Sequence, residues 1–582
     1  MEGLVFENMF ENKDKKRKKS EDQVSFNAPQ DQSWKTAESD ILSKRRMISV
    51  TSPYSSNGNR SEHNDSNNDA DNESKDRRLE HYKVEMKSLN RGFEACIKKK
   101  LDFDPKICLR NDVEKYKVYA SIFGKRYTRE TGNTVATCGM GDCGQLGLTD
   151  NIMGAKSPKP IKDGFGGEAI CQVACGGLHN VVLTDQGNVF TFGCNDDGAV
   201  GIRSKDSTIY DPQLLSQGDE GFLSSIGSKN EGIMQVAAGD SSSFALTAEG
   251  DLYFWGAYKD TEGKHFRYPT PNFDKRTWED KDIFDKETKE VVPPPRGFQV
   301  IPIQVELPKE AGRAVQVECG DNFSVILFDN DQLYSTGLDA RGEMARGDHL
   351  PPVRDENSKK YNLEVLKNEY LKPKPVIFAP VPNVLKRRVI SVACGANHLL
   401  VATVDICNGG YTSFTAYSSG LNNYGQLGHG DLDDRKILTC IEALKDSKIT
   451  SVAAGNHHSL CLDASGTYLY AFGRGDSGQL GLESTIPPPG YLKKSPLSLF
   501  LEPPSQKNPK IVQIVAGSNH NLVRTENGDI YSWGYGDLGA LGLGTEEDEY
   551  RPKKMKISSR SKVCDIDAGG QHTAFVIEKA QK

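Results

Sequence analysis

Seven copies of one short pattern run through the chain and leave few folds open to it. Each copy has an apolar run ending in Gly, two variable residues, usually a His, a second apolar run, a tight turn, and a third apolar run ending in Gly. Residues 171–202, CQVACGGLHNVVLTDQGNVFTFGCNDDGAVGI, show it whole. The first Gly recurs at Gly176, Gly239, Gly320, Gly395, Gly455, Gly517 and Gly569, the second at Gly139, Gly193, Gly256, Gly337, Gly420, Gly473 and Gly534. Within a copy the two lie 17 residues apart in four cases, 18 in one and 25 in one, whereas successive copies are 52 to 81 residues apart. Constant spacing inside and variable spacing outside describe a rigid supersecondary unit joined by free loops. Turn sequences at residues 185–188 (DQGN), 249–251 (EGD) and 526–529 (ENGD), between β-branched and aromatic runs, make each unit a set of antiparallel strands joined by hairpins.

The two sets of glycines are offset. Gly569 has no second Gly after it, and Gly139 has no first Gly before it. The strand ending at Gly139 therefore completes the sheet around Gly569, and the chain closes on itself. The expected fold is all-β: a seven-bladed β-propeller over residues 131–582, closed by pairing of the first repeat strand with the last blade. The long connections near 203–230, 257–312, 343–388 and 484–508 are polar and Pro-containing, and are expected to lie outside the sheets.

Ahead of the repeats, residues 1–79 hold too few apolar residues to build a core, and the tract SSNGNRSEHNDSNNDADN at 55–72 reads as a disordered tail. Residues 80–130 form a lead-in with a short helix expected around 80–98. Within the tail, Lys13, Lys15, Lys16, Arg17, Lys18 and Lys19 make a basic cluster of the kind that serves nuclear import or contacts nucleic-acid phosphates. The formal charge of −7 divides into +4 for residues 1–130 and −11 for the rest, so the propeller is acidic. Thirteen cysteines without a CxxC pair, no signal peptide and no apolar run near 18 residues point to a reduced, intracellular protein that does not enter a membrane. Cys138, Cys194 and Cys461 read as core residues.

The repeated His179, His398, His458, His520 and His572 stand three residues after the first Gly. A residue demanded once per blade serves the blade, and the expected role is hydrogen bonding between neighbours. Two blades depart, with Ser242 and Phe323 in its place. Between Gly and His lie two variable positions: Asp240 and Ser241, Asp321 and Asn322, Ala396 and Asn397, Asn456 and His457, Ser518 and Asn519. Because antiparallel strands alternate direction, this turn and the loop after the third strand emerge on the same face, which makes that face the binding face. The GxGxxG matches at 139–144, 473–478 and 534–539 open no helix and recur in three copies, so they serve the exit from the third strand rather than a dinucleotide. No P-loop, metal-ligand set or nucleophile–base–acid set stands out, and no cofactor is implied.

These residues resemble the regulator of chromosome condensation family over about 134–582, on GGLHNVVLTDQGNVFTFGCNDDGAVG, AAGDSSSFALTAEGDLYFWG, AAGNHHSLCLDASG, YGDLGALGLG and GGQHTAFV. The family's chromatin-bound member is the exchange factor for the small GTPase Ran, and its fold is a seven-bladed propeller. The resemblance implies a nuclear guanine-nucleotide exchange factor without covalent chemistry, monomeric, bound to chromatin through histones and DNA, and supporting nuclear transport and mitosis. It implies that one face grips the GTPase and that a β-wedge after a third strand disturbs the nucleotide site. Here that position follows Gly256 and reads AYKDTEGKHFRY, with Lys259, Asp260 and Gly263 fitting the pattern. Asp240 matches an acidic residue of the GTPase face; a second acidic position falls on Asn322, with Asp321 beside it. Asp142, His179, Arg346, His457 and His572 also fall at positions resembling functional ones, and Gly425 stands where the family can carry a His. The implied exchange residues are thus Asp240, Asp321, Asn322 and His457, flanked by GTPase contacts at Asp142, His179, Lys259, Asp260, Gly263, Arg346 and His572. A propeller used only as a protein–protein scaffold is the competing reading. An ultraviolet-B photoreceptor fits poorly, since only Trp255 and Trp533 of four tryptophans lie in repeats.

Overall fold

The computed structural model describes residues 131–202, 204, 206–215, 232–259, 283–284, 291–292, 299–347, 374–376, 386–407, 410–482, 492–496, 509–557 and 561–579. The expectations for the tail, the lead-in, the basic cluster at 13–19, Asp260 and Gly263 lie outside these residues.

Seven four-stranded antiparallel sheets follow one another in chain order. Blade 1 comprises Ile170–Cys175, His179–Thr184, Val189–Cys194 and Thr208–Leu214; blade 2 comprises Ile233–Ala238, Ser242–Thr247, Leu252–Gly256 and Gln299–Gln304. Blade 3 has Ala314–Cys319, Phe323–Phe328, Leu333–Gly337 and Lys374–Pro375; blade 4 has Lys386–Cys394, His398–Cys407, Gly410–Gly420 and Arg435–Cys440. Blade 5 is Ile449–Ala454, His458–Asp463, Tyr468–Gly473 and Leu492–Pro496, and blade 6 is Ile511–Ala516, His520–Thr525, Ile530–Gly534 and Glu549–Lys554. Blade 7 joins the two ends of the repeat region. Ser561–Ala568 and His572–Lys579 are completed by Thr134–Met140 and Gly154–Pro160, with Gly139 opposite His572 and Thr134 opposite Ile577. The inner strand of each blade packs on that of the next, and that of blade 7 on that of blade 1.

Closure thus uses two strands from the start of the repeats, one more than the offset of the glycines implied. Outer strands were also missed inside the connections near 203–230, 257–312, 343–388 and 484–508, each of which carries the fourth strand of its blade. Sequences such as TIYDPQL and LKKSP have no apolar alternation because an edge strand has one side in water, and Pro is tolerated where no further ladder forms.

Both glycine sets have a steric cause. A Cβ on Gly395 would sit 2.4 Å from the carbonyl oxygen of Gly455, and the same approach links 176 to 239, 239 to 320, 320 to 395, 455 to 517, 517 to 569 and 569 back to 176. Seven backbones therefore meet around the axis at a distance that no side chain fits. The second set adopts φ between 93° and 118°, in the region that favours Gly, and a Cβ there would strike the carbonyl just before the framework position of the same blade. Apolar side chains fill the seams between blades, as where Leu460, Leu469, Ile514, Val523 and Trp533 pack between blades 5 and 6.

Candidate partner-binding face

The turn after each inner strand and the exit from each third strand are tied together. The residue following the second Gly donates its N–H to the carbonyl just before the framework position: Cys194 to Leu178 at 2.8 Å, Ala257 to Ser241 at 2.8 Å, Leu338 to Asn322 at 2.7 Å, Arg474 to His457 at 2.8 Å. Variable turns and exit loops thus share one mouth of the ring, as the strand alternation required.

Beneath that mouth, the five histidines bridge seams. Nε2 of His179 lies 2.8 Å from Ser243 Oγ, His398 2.9 Å from Ser459 Oγ, His458 2.7 Å from Asn521 Oδ1, His520 2.9 Å from Thr573 Oγ1, and His572 3.1 Å from Asn180 Oδ1. Each partner passes the link back to an exit-loop carbonyl of the histidine's own blade, as Asn180 does to Gln145 of blade 7 at 2.7 Å and Ser459 to Gln426 of blade 4 at 2.7 Å. Burial pushes these imidazoles down, His179 to about 4 and His572 to about 3, so they are neutral. His179 and His572 were expected at the partner's surface. They are instead buried to 1% and 0% exposure and bonded across the seams through Nε2, so neither ring lies open at the mouth. Arg346 is corrected likewise: at 5% exposure, it donates from Nε to Ser335 Oγ at 3.1 Å and from Nη2 to the Ser335 carbonyl. Cys138 and Cys461 are buried thiols, whereas Cys194 is half-buried at its strand end.

The two exceptional blades solve the seam differently. Phe323 is buried beside blade 4, where Leu399 follows the framework His398, so no polar partner is presented there. In blade 2, Ser242 is too short to cross, and its Oγ has no hydrogen-bond partner among the described residues. Tyr258, from the exit of the same blade, replaces the imidazole: it is 3% exposed, and its hydroxyl lies 2.9 Å from Ser324 Oγ.

That plug delivers Lys259 to the mouth. Its N–H donates to Asn322 Oδ1 at 2.7 Å, and its ammonium reaches Asp197 Oδ2 at 2.6 Å, Ser241 Oγ at 2.9 Å and Asp240 Oδ2 at 3.8 Å. The Ser241 hydroxyl in turn donates to Asp240 Oδ2 at 3.0 Å. Burial alone would lower the Lys259 pKa, but Asp197 and Asp240 more than offset it. Asp321, half-buried at the next turn, is pushed up to about 7 by desolvation and by the charge of Asp240, with Lys259 acting the other way. Blades 1 to 3 therefore present three carboxylates around one resident ammonium. Asn322, at the position that the resemblance made acidic, turns its amide oxygen to the backbone N–H of Lys259.

Across the mouth, His457 is half-buried against Tyr424, their rings 5.1 Å apart, and the Arg474 guanidinium lies 5.6 Å from the Tyr424 ring centre. Asp476 holds Arg474 by two contacts of 2.7 Å. Burial, then the charge of Arg474, lowers the pKa of His457. Tyr424 and Tyr535 are 38% and 37% exposed, an aromatic counterpart to the acidic side. Asp142 is half-buried on the blade 7 exit loop and accepts from Gln145 Nε2 at 3.2 Å. The structure thus brings Asp240, Asp321, Asn322 and Lys259 together and keeps His457 and Asp142 on the same face. Sequence reasoning passed over Asp197, Tyr258, Tyr424 and Arg474. All stand on the turns and exit loops that the repeat pattern had already assigned to the mouth. Among the described residues no group of three or more His, Cys, Asp or Glu is placed to hold a metal ion.

A family model described as RCC1-like domain matches residues 134–575. The chain belongs to the RCC1-like domain family. This RCC1-like chain is 28% identical over 452 residues to the regulator of chromosome condensation of Homo sapiens, covering 77% of this chain and 91% of that protein. It is also 28% identical over 431 residues to the guanine nucleotide exchange factor SRM1 of Saccharomyces cerevisiae, covering 69% and 78%. The solved structure of Prp20p from Saccharomyces cerevisiae, described with its binding properties to Gsp1p and histones, has the same fold, with a TM-score of 0.60 and 23% identity over 81% of this chain and 96% of that one.

Proposed function

We propose that this RCC1-like protein is a guanine-nucleotide exchange factor for a Ran-like small GTPase, working at chromatin in the nucleus. The carboxylate cluster of Asp197, Asp240 and Asp321, built into the mouth by three adjacent blades, carries this reading. It presents negative charge to a partner whose nucleotide site is lined by groups that hold phosphates. Exchange needs no covalent step. The propeller has only to bind the nucleotide-free GTPase more tightly than the loaded one, because a partner without preference shifts nothing. Asp240 and Asp321 compete for the basic groups that otherwise hold phosphate, His457 and the Tyr424–Arg474 stack grip the far side, and Asp142 flanks them. Asp260 and Gly263 continue the segment that Tyr258 and Lys259 anchor, where the family resemblance puts the wedge. Whichever nucleotide is abundant then refills the site. The cluster at 13–19 is assigned to import and to phosphate contact, and the protein works as a monomer without a membrane.

Release of labelled GDP from purified Ran, with and without this protein, tests the reading; no acceleration over the spontaneous rate would overturn it. Asp240→Asn should keep the melting midpoint. Losing one member of a charge pair at an interface costs about 2–5 kcal/mol, which at about 1.4 kcal/mol per tenfold is a fall of roughly 30-fold or more in exchange efficiency.

A further inference from the structure

Three carboxylates share one cation at the mouth, and where that cation sits decides which carboxylate is left with its charge. The Lys259 ammonium is 2.6 Å from Asp197 and 3.8 Å from Asp240. The side chain of Asp240 is 42% exposed, against 20% for Asp197 and 26% for Lys259, so Asp240 is the member that an incoming group can reach. The root of Lys259 cannot wander, because Tyr258 is plugged into the seam below and the Lys259 N–H is bound to Asn322. Only the flexible end of the side chain can move, and its choice lies between blade 1 and blade 2.

We propose that Asp197 is a positioning residue that draws Lys259 toward blade 1, and so leaves Asp240 only loosely paired and open to a cationic group of the partner. The inference rests on the exchange reading above and makes Lys259 an internal counter-ion rather than a contact. Without the Asp197 charge, Asp240 is the nearest carboxylate, and the attraction of unit charges a few ångströms apart in a half-buried site brings the ammonium onto it. Asp240 then answers to its own lysine instead of to the GTPase.

The test measures GDP release against GTPase concentration, with thermal melting alongside, for Asp197→Asn, Lys259→Met, the double variant and Asp240→Asn. Asp197→Asn should lose about tenfold in exchange efficiency, equivalent to about 1.4 kcal/mol, mainly through a raised KM. Adding Lys259→Met should restore most of that loss, because the quenching charge has gone. Lys259→Met alone should raise exchange, a reading that does not depend on how Asp197→Asn folds. Full exchange by Asp197→Asn, a double variant as poor as Asp197→Asn, or a fall with Lys259→Met would each overturn the inference. If the parent itself does not speed GDP release, the functional reading fails; if Asp240→Asn exchanges like an active parent, Asp240 leaves the mechanism and this inference falls with it; if only Asp240→Asn is impaired, the positioning role alone falls.

Discussion

Replacing His572 with Ala separates a seam residue from a partner contact. The ring is fully buried, Nε2 lies 3.1 Å from Asn180 Oδ1, and Asn180 continues to the Gln145 carbonyl. Truncating a buried ring costs about 3–5 kcal/mol, of which the stranded Asn180 acceptor accounts for about 1–3 kcal/mol. The penalty also carries a pH signature. Burial, with help from His179 and His520, takes His572 from 6.5 to about 3. Its folded pKa is therefore below its unfolded one, so its contribution to stability is complete above about pH 6.5 and is lost as pH falls toward 3. The difference between parent and His572→Ala should be largest at pH 7.5 and shrink by about 1.4 kcal/mol for each pH unit below about 6.5. Urea unfolding followed by emission of Trp255 and Trp533, both buried, measures it at pH 7.5 and 5.5. An unchanged midpoint at pH 7.5, or a penalty that grows on acidification, would refute the reasoning. A variant that unfolds like the parent but fails to exchange would put His572 back at the partner's surface.

Removing residues 131–148 takes away the strand Thr134–Met140 and opens blade 7. It should lower the midpoint and cooperativity of the whole ring, and calorimetry showing neither would contradict closure. Because Asp321 ionises at about 7, GDP release should rise between pH 6 and 8, and Asp321→Asn should abolish that rise. Its folded pKa lies above the usual 3.8, so stability is lost as pH rises from about 4 to about 7, and the full cost is present above that. Asp321→Asn should therefore melt higher than the parent at pH 8, with the gain vanishing toward pH 4. Deleting residues 1–60 should reduce nuclear accumulation while leaving exchange in solution intact. Fluorescence microscopy of a tagged chain reads it, and unchanged localisation would dispose of the import assignment.

Blade number, ring closure and the gathering of variable turns and exit loops on one face were legible in the sequence because each rests on a requirement repeated once per blade. The first glycines meet the next blade's carbonyl, the second glycines need positive φ, and the histidines need a polar partner across the seam, so all three leave a countable mark. The outer strands left none, since an edge strand answers to one neighbour and to water. Composition of the site was a tertiary decision. Asp197 and Lys259 are 62 residues apart and meet only because blades 1 and 2 are neighbours. His179 and His572 matched a functional pattern yet are buried, because a sequence position does not say which end of a side chain the next blade will cover. The loss of the framework His at Ser242 was visible in the sequence. That Tyr258 fills its place, and thereby aims Lys259 at the acidic mouth, depends on the packing of three blades around one axis.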